Sequence, residues 1–296
     1  MQCHTDSPLT DNPNVTAILA AHYPGQEVGN SIVDVLWGAV NPSGKLPYTI
    51  ALHEEDYSFA DITNSSALLT TNDPNAWQSD FEERLLIDYR HFDYFNESVQ
   101  YEFGFGLSYT TFSLSGLSVS KVASGAISAL PANGSIVPGG LPALWDVLYT
   151  VSVNVKNTGS VAGAAVPQLY LGLPQPANQD VTPVKVLRGF DKITLQPGES
   201  QTVTFDLTRR DISYWNIYNQ QWTIGTSAIG VLAGFSSRDI QASTSFTPLS
   251  SAGGYGGNGT SGSGGYGGHG SHGWGDKPGP WGWWTNDNHH ASNWRK

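Results

Sequence analysis

Cysteine is nearly missing from this sequence: one residue, Cys3, in 296, which excludes an internal disulfide framework. Positive charge is scarce as well, with 14 Lys and Arg against 25 Asp and Glu, a net charge of −11 and a pI near 5.0. Such a surface repels nucleic acid and anionic membrane, so neither is an expected partner, whereas a neutral ligand such as a sugar meets no penalty. No run of about 18 apolar residues is present to span a bilayer. The first residues also lack the charged-then-apolar pattern of a signal peptide. What is present suffices for a sizeable core: 39% of the residues are hydrophobic and 11% aromatic, in a chain long enough for two domains.

Five Asn-x-Ser/Thr sequons begin at Asn14, Asn64, Asn96, Asn133 and Asn258. They are candidate N-glycosylation sites and fit a secreted, extracellular protein whose export signal lies elsewhere, although some sequons arise by composition alone in a chain rich in Ser, Thr and Asn.

Taken in order, residues 1–10 are an unmatched start. Val15 to Ala21 is a continuous apolar run of strand length, read as a buried parallel strand, and Tyr23-Pro24-Gly25 turns the chain into a helix. Gln26 to Trp37 places Val28, Ile32, Val35 and Leu36 at helical spacing, with Gly38 set to cap the end and Glu27 near the positive end of the helix dipole. Gly44 to Leu52 has a proline in its middle, which confines it to an edge strand. One strand, one helix and one edge segment cannot bury both faces of a parallel sheet. Residues 11–60 are therefore expected to be the remnant of a larger α/β sandwich domain, and the start looks cut. His53 to Ser79 is a long polar loop around Asn72-Asp73-Pro74-Asn75.

At Asp88 to Phe112 the pattern changes class. Gly104 and Gly106 sit among Phe103, Phe105, Leu107 and Tyr109, as in a backbone that bends sharply while its aromatics pack on something large, so 61–110 reads as a long loop and a docked seam. Beyond Thr111 strand signals repeat at Phe112 to Val122, Val147 to Val155, Val166 to Leu173, Val184 to Leu195, Gln201 to Leu207, Trp215 to Ile224 and Ile229 to Phe235. Val151, Val153 and Val155 alternate with Ser152, Asn154 and Lys156, and Val203 and Phe205 with Thr204 and Asp206. Asn157-Thr158-Gly159-Ser160 and Gln196-Pro197-Gly198-Glu199 have turn chemistry. The fold class is thus mixed: a partial α/β region, then an antiparallel immunoglobulin-like β-sandwich at 111–249 that is expected to fold by itself, then a low-complexity tail at 250–296.

That tail is Gly-rich and holds five of the ten tryptophans and four of the eight histidines. Glycine entropy and sparse aliphatics favour disorder there. Trp274, Trp281, Trp283 and Trp284 as a sugar-stacking surface, or His269, His272, His289 and His290 as weak metal ligands, are the functional alternatives, without the fixed spacing of a known site.

Tyr89-Arg90-His91-Phe92-Asp93 followed by Tyr101-Glu102-Phe103-Gly104-Phe105-Gly106-Leu107-Ser108-Tyr109-Thr110 resembles the signature of fungal β-glucosidases of glycoside hydrolase family 3. Asp11-Asn12-Pro13-Asn14-Val15, Pro24-Gly25-Gln26-Glu27 and Asn41-Pro42-Ser43-Gly44-Lys45-Leu46-Pro47 resemble the same family, in the family's order. The phrases at 155–159, 187–190 and 195–200 resemble its fibronectin type III-like domain, whose role there is mainly packing against the catalytic body. The resemblance covers about Asp11 to Pro248 and implies the C-terminal portion of a secreted enzyme that hydrolyses terminal non-reducing β-D-glucosyl residues, cellobiose included.

A retaining glycosidase needs two carboxylates about 5–5.5 Å apart, one a nucleophile and one held protonated as general acid. The resemblance places both upstream of Asp11, so no catalytic residue is expected in this chain, and the β-glucoside would bind through the missing N-terminal domains. Ser79-Asp80-Phe81 imitates the family's Ser-Asp-Trp nucleophile motif but lies after the α/β unit and lacks the Trp, so the role does not transfer to Asp80. Glu54, Glu55, Asp56, Glu82 and Glu83 read as a solvated acidic face. Asp88, Arg90, His91 and Asp93 read as structural ion pairing, with Arg90 placed to fork onto a carboxylate and His91 an acid/base only if a partner aligns it. No nucleophile elbow, phosphate loop or Cys/His metal cluster is present, and no cofactor is expected. The rival reading is a non-catalytic module that binds polysaccharide or a cell-wall partner, and retention on insoluble β-glucan with and without 250–296 separates the two.

Overall fold

A computed structural model describes residues 12–57, 76–176 and 181–248. In chain order they carry helix α1 (Val28–Leu36), strand β1 (Ile50–Ala51), helix α2 (Tyr89–Tyr94), strand β2 (Val99–Tyr101), then β3 (Phe112–Lys121), β4 (Val147–Asn157), β5 (Gly163–Ala165), β6 (Gln168–Gly172), β7 (Val186–Phe190), β8 (Ile193–Leu195), β9 (Ser200–Thr208), β10 (Ser213–Asn216), β11 (Gln221–Ile224), β12 (Ile229–Gly234) and β13 (Ile240–Phe246). Residues 1–10, most of the 53–79 loop, Asn64, and the tail with Asn258 and its Trp and His clusters lie outside the described residues.

The alternation in β4 becomes one wall of the sandwich. β4 is the centre of the sheet β3-β4-β9, with Val151 opposite Phe205 and Val153 opposite Val203. Their side chains point one way and are buried, while Ser152 and Asn154 face outward. The facing wall is the sheet β13-β12-β6-β7, which supplies Leu169, Leu171, Val231 and Ala233 to the same core. Each fully buried Val or Leu removes enough apolar area from water to contribute about 1.5–3 kcal/mol, which the two walls need to offset backbone ordering. Two short sheets, β5-β8 and β10-β11, accompany the walls, and every strand pairing is antiparallel.

Asn157, at the end of β4, is fully buried, yet its amide is saturated. Its Nδ2 donates to Val161 O at 2.9 Å and Leu195 O at 3.0 Å, and its Oδ1 accepts from Thr110 Oγ1 at 2.8 Å and Gly159 N at 3.0 Å. The two turn phrases of the sequence thus meet: Gly198 N donates to Asn157 O at 3.0 Å and Asn157 N to Glu199 O at 3.0 Å. A polar side chain with this many partners fixes one arrangement of three loops.

Three sequence expectations change. Val15 to Ala21 is not a strand: it forms no ladder with any described segment, and Ile18 and Leu19 are exposed. A strand read from apolarity alone needs a neighbour to exist, and none stands beside it among the described residues. Val184 to Leu195 is two strands, because the chain turns at Asp191-Lys192 and hands β7 to one sheet and β8 to another. β13 follows the expected last strand. Its alternation is masked by small polar residues, and it is an edge paired to β12 alone.

α1 forms where the spacing puts it, with Gly38 at φ +78° just past its end and its N–H on Val35 O. Val28, Ile32 and Val35 are only half-buried, and Val33, Leu36 and Trp37 are exposed. Among the described residues, no helix is long and apolar enough to cross a membrane.

Candidate functional site

β6 is buried on both faces, unlike its neighbours in an antiparallel sheet. Leu169 and Leu171 face the core, so something else must cover Gln168 and Tyr170. The cover is the 88–106 stretch. Tyr89 stacks on Phe103 at 4.6 Å and meets the Tyr170 ring edge-on at 6.1 Å. Gln168 Nε2 donates to Gly104 O at 3.1 Å and Phe235 O at 2.8 Å, and its Oε1 accepts from Tyr170 OH at 2.5 Å. Gly104 N donates to Leu46 O and Leu46 N to Phe105 O, both at 2.8 Å, while Ser237 N donates to Phe103 O at 2.9 Å. The stretch is laced between the 41–47 segment on one side and the sandwich on the other.

Both glycines are required by this fit. Gly104 has φ +81°, and a Cβ there would stand 2.3 Å from Gln168 Oε1; a Cβ on Gly106 would stand 2.1 Å from Gly44 O. Gly104→Ala is expected to lower stability by about 1–3 kcal/mol through the left-handed backbone and the displaced amide. Urea unfolding checks this, and an unchanged midpoint would show that the seam is not seated on β6.

Asp88 begins α2 in an unusual conformation, φ 55°, ψ −134°. Its carboxylate accepts from Tyr89 N at 2.6 Å, Thr49 N at 2.8 Å and Thr49 Oγ1 at 3.0 Å, tying the helix start to the segment before β1. Asp93 reaches the other way, to Lys185 Nζ at 2.6 Å and Arg238 Nε at 3.2 Å, with only 8% of its side chain exposed. Arg238 also donates to Glu97 O at 2.8 Å. Glu102 Oε1 accepts from buried Ser236 Oγ at 2.6 Å. His91 Nε2 lies 3.3 Å from Glu97 Oε2 without a formed hydrogen bond. Tyr89 OH accepts from Leu187 N at 2.9 Å. The acids of the signature thus hold α2 in place across the joint.

The expected fork of Arg90 onto a carboxylate is corrected. Among the described residues Arg90 pairs with no acid, its Nε is buried without a partner, and its guanidinium lies 6.0 Å from the Tyr89 ring centre. The local acids are already taken, Asp88 by Thr49 and the helix start, Asp93 by Lys185 and Arg238. The partners that matter, Gln168, Lys185 and Arg238, stand 64, 92 and 145 residues along the chain from the residues they bind, and only the Arg188 phrase at 187–190 hinted at this side of the joint. Asn41 acts in the same way from upstream: its Nδ2 donates to Ala162 O at 3.0 Å and its Oδ1 accepts from Ser108 Oγ at 2.8 Å and Tyr109 N at 2.9 Å.

Of the remaining acids, Asp80 is exposed and accepts from Gln78 Nε2 at 2.9 Å, and Asp56 caps its own 3-10 turn by accepting from His53 N at 2.9 Å. Glu54, Glu55 and Glu82 are exposed, Glu83 is half-buried, and Glu27 sits at the N-cap of α1, accepting from Asn30 Nδ2 at 2.6 Å. Among the described residues, no group of three or more His, Cys, Asp or Glu is arranged to hold a metal ion.

Burial raises the pKa of the phenols of Tyr89, Tyr149 and Tyr170; at Tyr89 the Leu187 N–H and nearby Arg90 and Arg188 oppose the shift. The folded chain therefore keeps these protons where the unfolded chain has lost them. Their contribution is intact below about pH 10 and is lost as the pH rises above it. Lys45, donating to Gly106 O at 2.7 Å, has a pKa lowered by burial against the pull of Asp239 and Glu102. It acts in the opposite sense, adding stability as the pH approaches about 10.5. Urea midpoints are expected to hold up to about pH 10 and then fall steeply, and Tyr170→Phe should flatten the fall. A midpoint indifferent to pH above that point would contradict the burial of these phenols.

Residues 2–109 match the glycosyl hydrolase family 3 C-terminal domain, and residues 165–237 the fibronectin type III-like domain. "Probable beta-glucosidase G" of Aspergillus oryzae is 55% identical over 244 residues, 82% of this chain and 29% of that protein. "Probable beta-glucosidase M" of Aspergillus niger is 48% identical over 242 residues, 80% of this chain and 30% of that protein. Among solved structures, the β-D-glucoside glucohydrolase of Trichoderma reesei superposes with a TM-score of 0.64 at 44% identity, covering 76% of this chain and 29% of that one. A β-glucosidase of Chaetomium thermophilum superposes with a TM-score of 0.70 at 33% identity, covering 82% and 36%. The chain spans about three tenths of the length of the curated relatives it matches.

Proposed function

The chain belongs to glycosyl hydrolase family 3, and from that premise we propose that it is the C-terminal portion of a β-glucosidase that releases terminal non-reducing β-D-glucosyl residues from cellobiose and related β-glucosides. One observation carries the reading: two of the segments that resemble the family, 41–47 and 88–110, bind each other and the sandwich, through Leu46, Gly104, Asn41, Asp93 and Gln168. These residues do a joint's work. The acids of the signature are engaged in helix capping and ion pairing, which leaves the glycosidic chemistry to two carboxylates in the upstream part of the protein. In this reading 11–60 completes the upstream α/β sandwich domain, 61–110 is the loop and seam, 111–249 is the fibronectin type III-like sandwich that buttresses it, and 250–296 is an appended tail.

The test is a chimera in which residues 12–248 replace the matching part of the Aspergillus oryzae relative. Hydrolysis of an aryl β-glucoside is expected at a rate comparable with that relative, and a folded but inactive chimera would count against the reading.

Secretion belongs to the same proposal. Asn14, Asn96 and Asn133 are exposed, and Asn133 lies in a loop whose neighbours are exposed on both sides. Expression through a fungal secretory pathway is expected to place an N-glycan on Asn133. Enzymatic deglycosylation should lower the mass, and Asn133→Gln should remove that increment; an unmodified Asn133 peptide in the secreted protein would refute the assignment.

A further inference from the structure

Arginine use on this molecule is uneven. Arg238 pairs with Asp93, and Arg209 donates to Ser128 O at 2.9 Å. Arg90, Arg188 and Arg210 donate no hydrogen bond and meet no carboxylate among the described residues. The Nε atoms of Arg90 and Arg188 are nevertheless buried. The hydrogen bond from Leu187 N to Tyr89 OH at 2.9 Å brings the chain at Arg188 against the chain at Arg90, and Arg188 lies within electrostatic reach of both Arg90 and Arg210. Asp211 is the single carboxylate that offsets Arg188, and its Oδ2 is already held by Thr208 N at 2.9 Å and Thr208 Oγ1 at 2.7 Å. Arg210 lies over Trp222 at 4.7 Å and Trp145 at 5.7 Å, and Trp145 is half exposed. Tyr94, one turn along α2 from Arg90 and on the same face, is also exposed. Burial lowers the pKa of Arg188, with Asp211 opposing the shift and Arg210 and Arg90 adding to it.

In a chain with 25 acidic and 14 basic residues, the two half-buried guanidiniums of Arg90 and Arg188, whose Nε atoms lack partners, are a costly arrangement beside the exposed Arg210 unless something completes it. Arginine centred among Trp and Tyr is the composition of a protein interface. About seven tenths of the length of the curated relatives lies outside the matched region, so there is polypeptide to fill it.

We propose that the Arg90, Arg188 and Arg210 stripe is a docking socket for carboxylate side chains of the polypeptide upstream of residue 12, so that the sandwich is clamped to the catalytic body by charge. This rests on the reading of the chain as the C-terminal portion of a larger enzyme. A planar guanidinium accepts a carboxylate in a two-pronged hydrogen bond, and burial makes that pairing selective as well as strong.

The first arm of the test uses this chain alone. Arg188→Met keeps the side-chain volume and removes the unpaired charge, and is expected to raise the melting temperature by about 2–4 °C. Succinate at matched ionic strength is expected to raise the melting temperature of the wild type and not that of Arg90→Gln/Arg188→Met. A lower melting temperature in Arg188→Met together with no response to succinate would overturn the socket, and a response to phosphate but not to succinate would reassign it to phosphate. The second arm measures affinity between this chain and the upstream portion of the Aspergillus oryzae relative, produced separately. The double variant is expected to bind about tenfold more weakly or worse. Equal binding by both chains would overturn the socket while leaving the proposed function intact, and tight binding of a polyglucuronate at the stripe would assign it to an acidic glycan instead. If neither chain binds the upstream portion, the proposed function is what fails, and the first arm still decides the socket.

Discussion

No turnover above background is expected when the 296-residue chain is assayed alone on an aryl β-glucoside. Retaining hydrolysis requires a nucleophilic and a protonated carboxyl group set on opposite sides of one glycosidic bond, about 5–5.5 Å apart. The acids of the signature are otherwise occupied, Asp88 capping α2, Asp93 holding Lys185 and Arg238 and Glu102 accepting from Ser236, while Asp80 lies exposed with Gln78. Loss of one essential catalytic group costs about 10³-fold or more, and loss of the pocket that orients the sugar removes the proximity contribution as well. The deficit should therefore be complete within detection. Asp80→Asn is the control, since Ser79-Asp80-Phe81 imitates a nucleophile motif and substitution there should change nothing.

The second large effect is on stability. Asp93→Ala is expected to cost about 3–5 kcal/mol, because it strands the buried ammonium of Lys185 rather than merely deleting a contact. Lys185 and Asp93 have side-chain exposures of 11% and 8%, so water cannot replace the lost carboxylate. Arg238, 32% exposed, is better solvated and contributes less. Asp93→Ala/Lys185→Met should recover much of the loss by removing the stranded charge. Urea unfolding of the three variants measures it, with the slope unchanged if only the native joint is affected. A double variant as unstable as Asp93→Ala would mean that the charges are not coupled.

The sandwich was legible wherever one face of a strand meets the core and the other meets water. β4 and β9 show this as Val against Ser, Asn and Thr, and both formed where that pattern ran. β6 resisted such a reading because it is covered twice: its polar-side residues Gln168 and Tyr170 are buried too, under a segment about 60–80 residues away. Val15 to Ala21 misled because apolarity marks what a segment will bury and not what it pairs with. The joint was visible as an aromatic and glycine cluster at 101–109, and the need for glycine at 104 and 106 followed from it. Its ionic partners were not, since nothing in the local pattern of Pro183-Val184-Lys185 or Ser237-Arg238-Asp239 says that both will close on Asp93. Long-range charge pairing has no periodicity, and Arg90, the residue whose local charge density suggested a pair, was the one left without.

The most direct measurement adds the separately produced upstream portion of the Aspergillus oryzae relative to a fixed amount of this chain and follows aryl β-glucoside hydrolysis. The account predicts that neither part turns over substrate alone, that turnover appears on mixing and saturates at one-to-one stoichiometry, and that Asp80→Asn in this chain leaves it unchanged. Hydrolysis by this chain alone, abolished by Asp80→Asn, would contradict the account and place the catalytic nucleophile within these 296 residues.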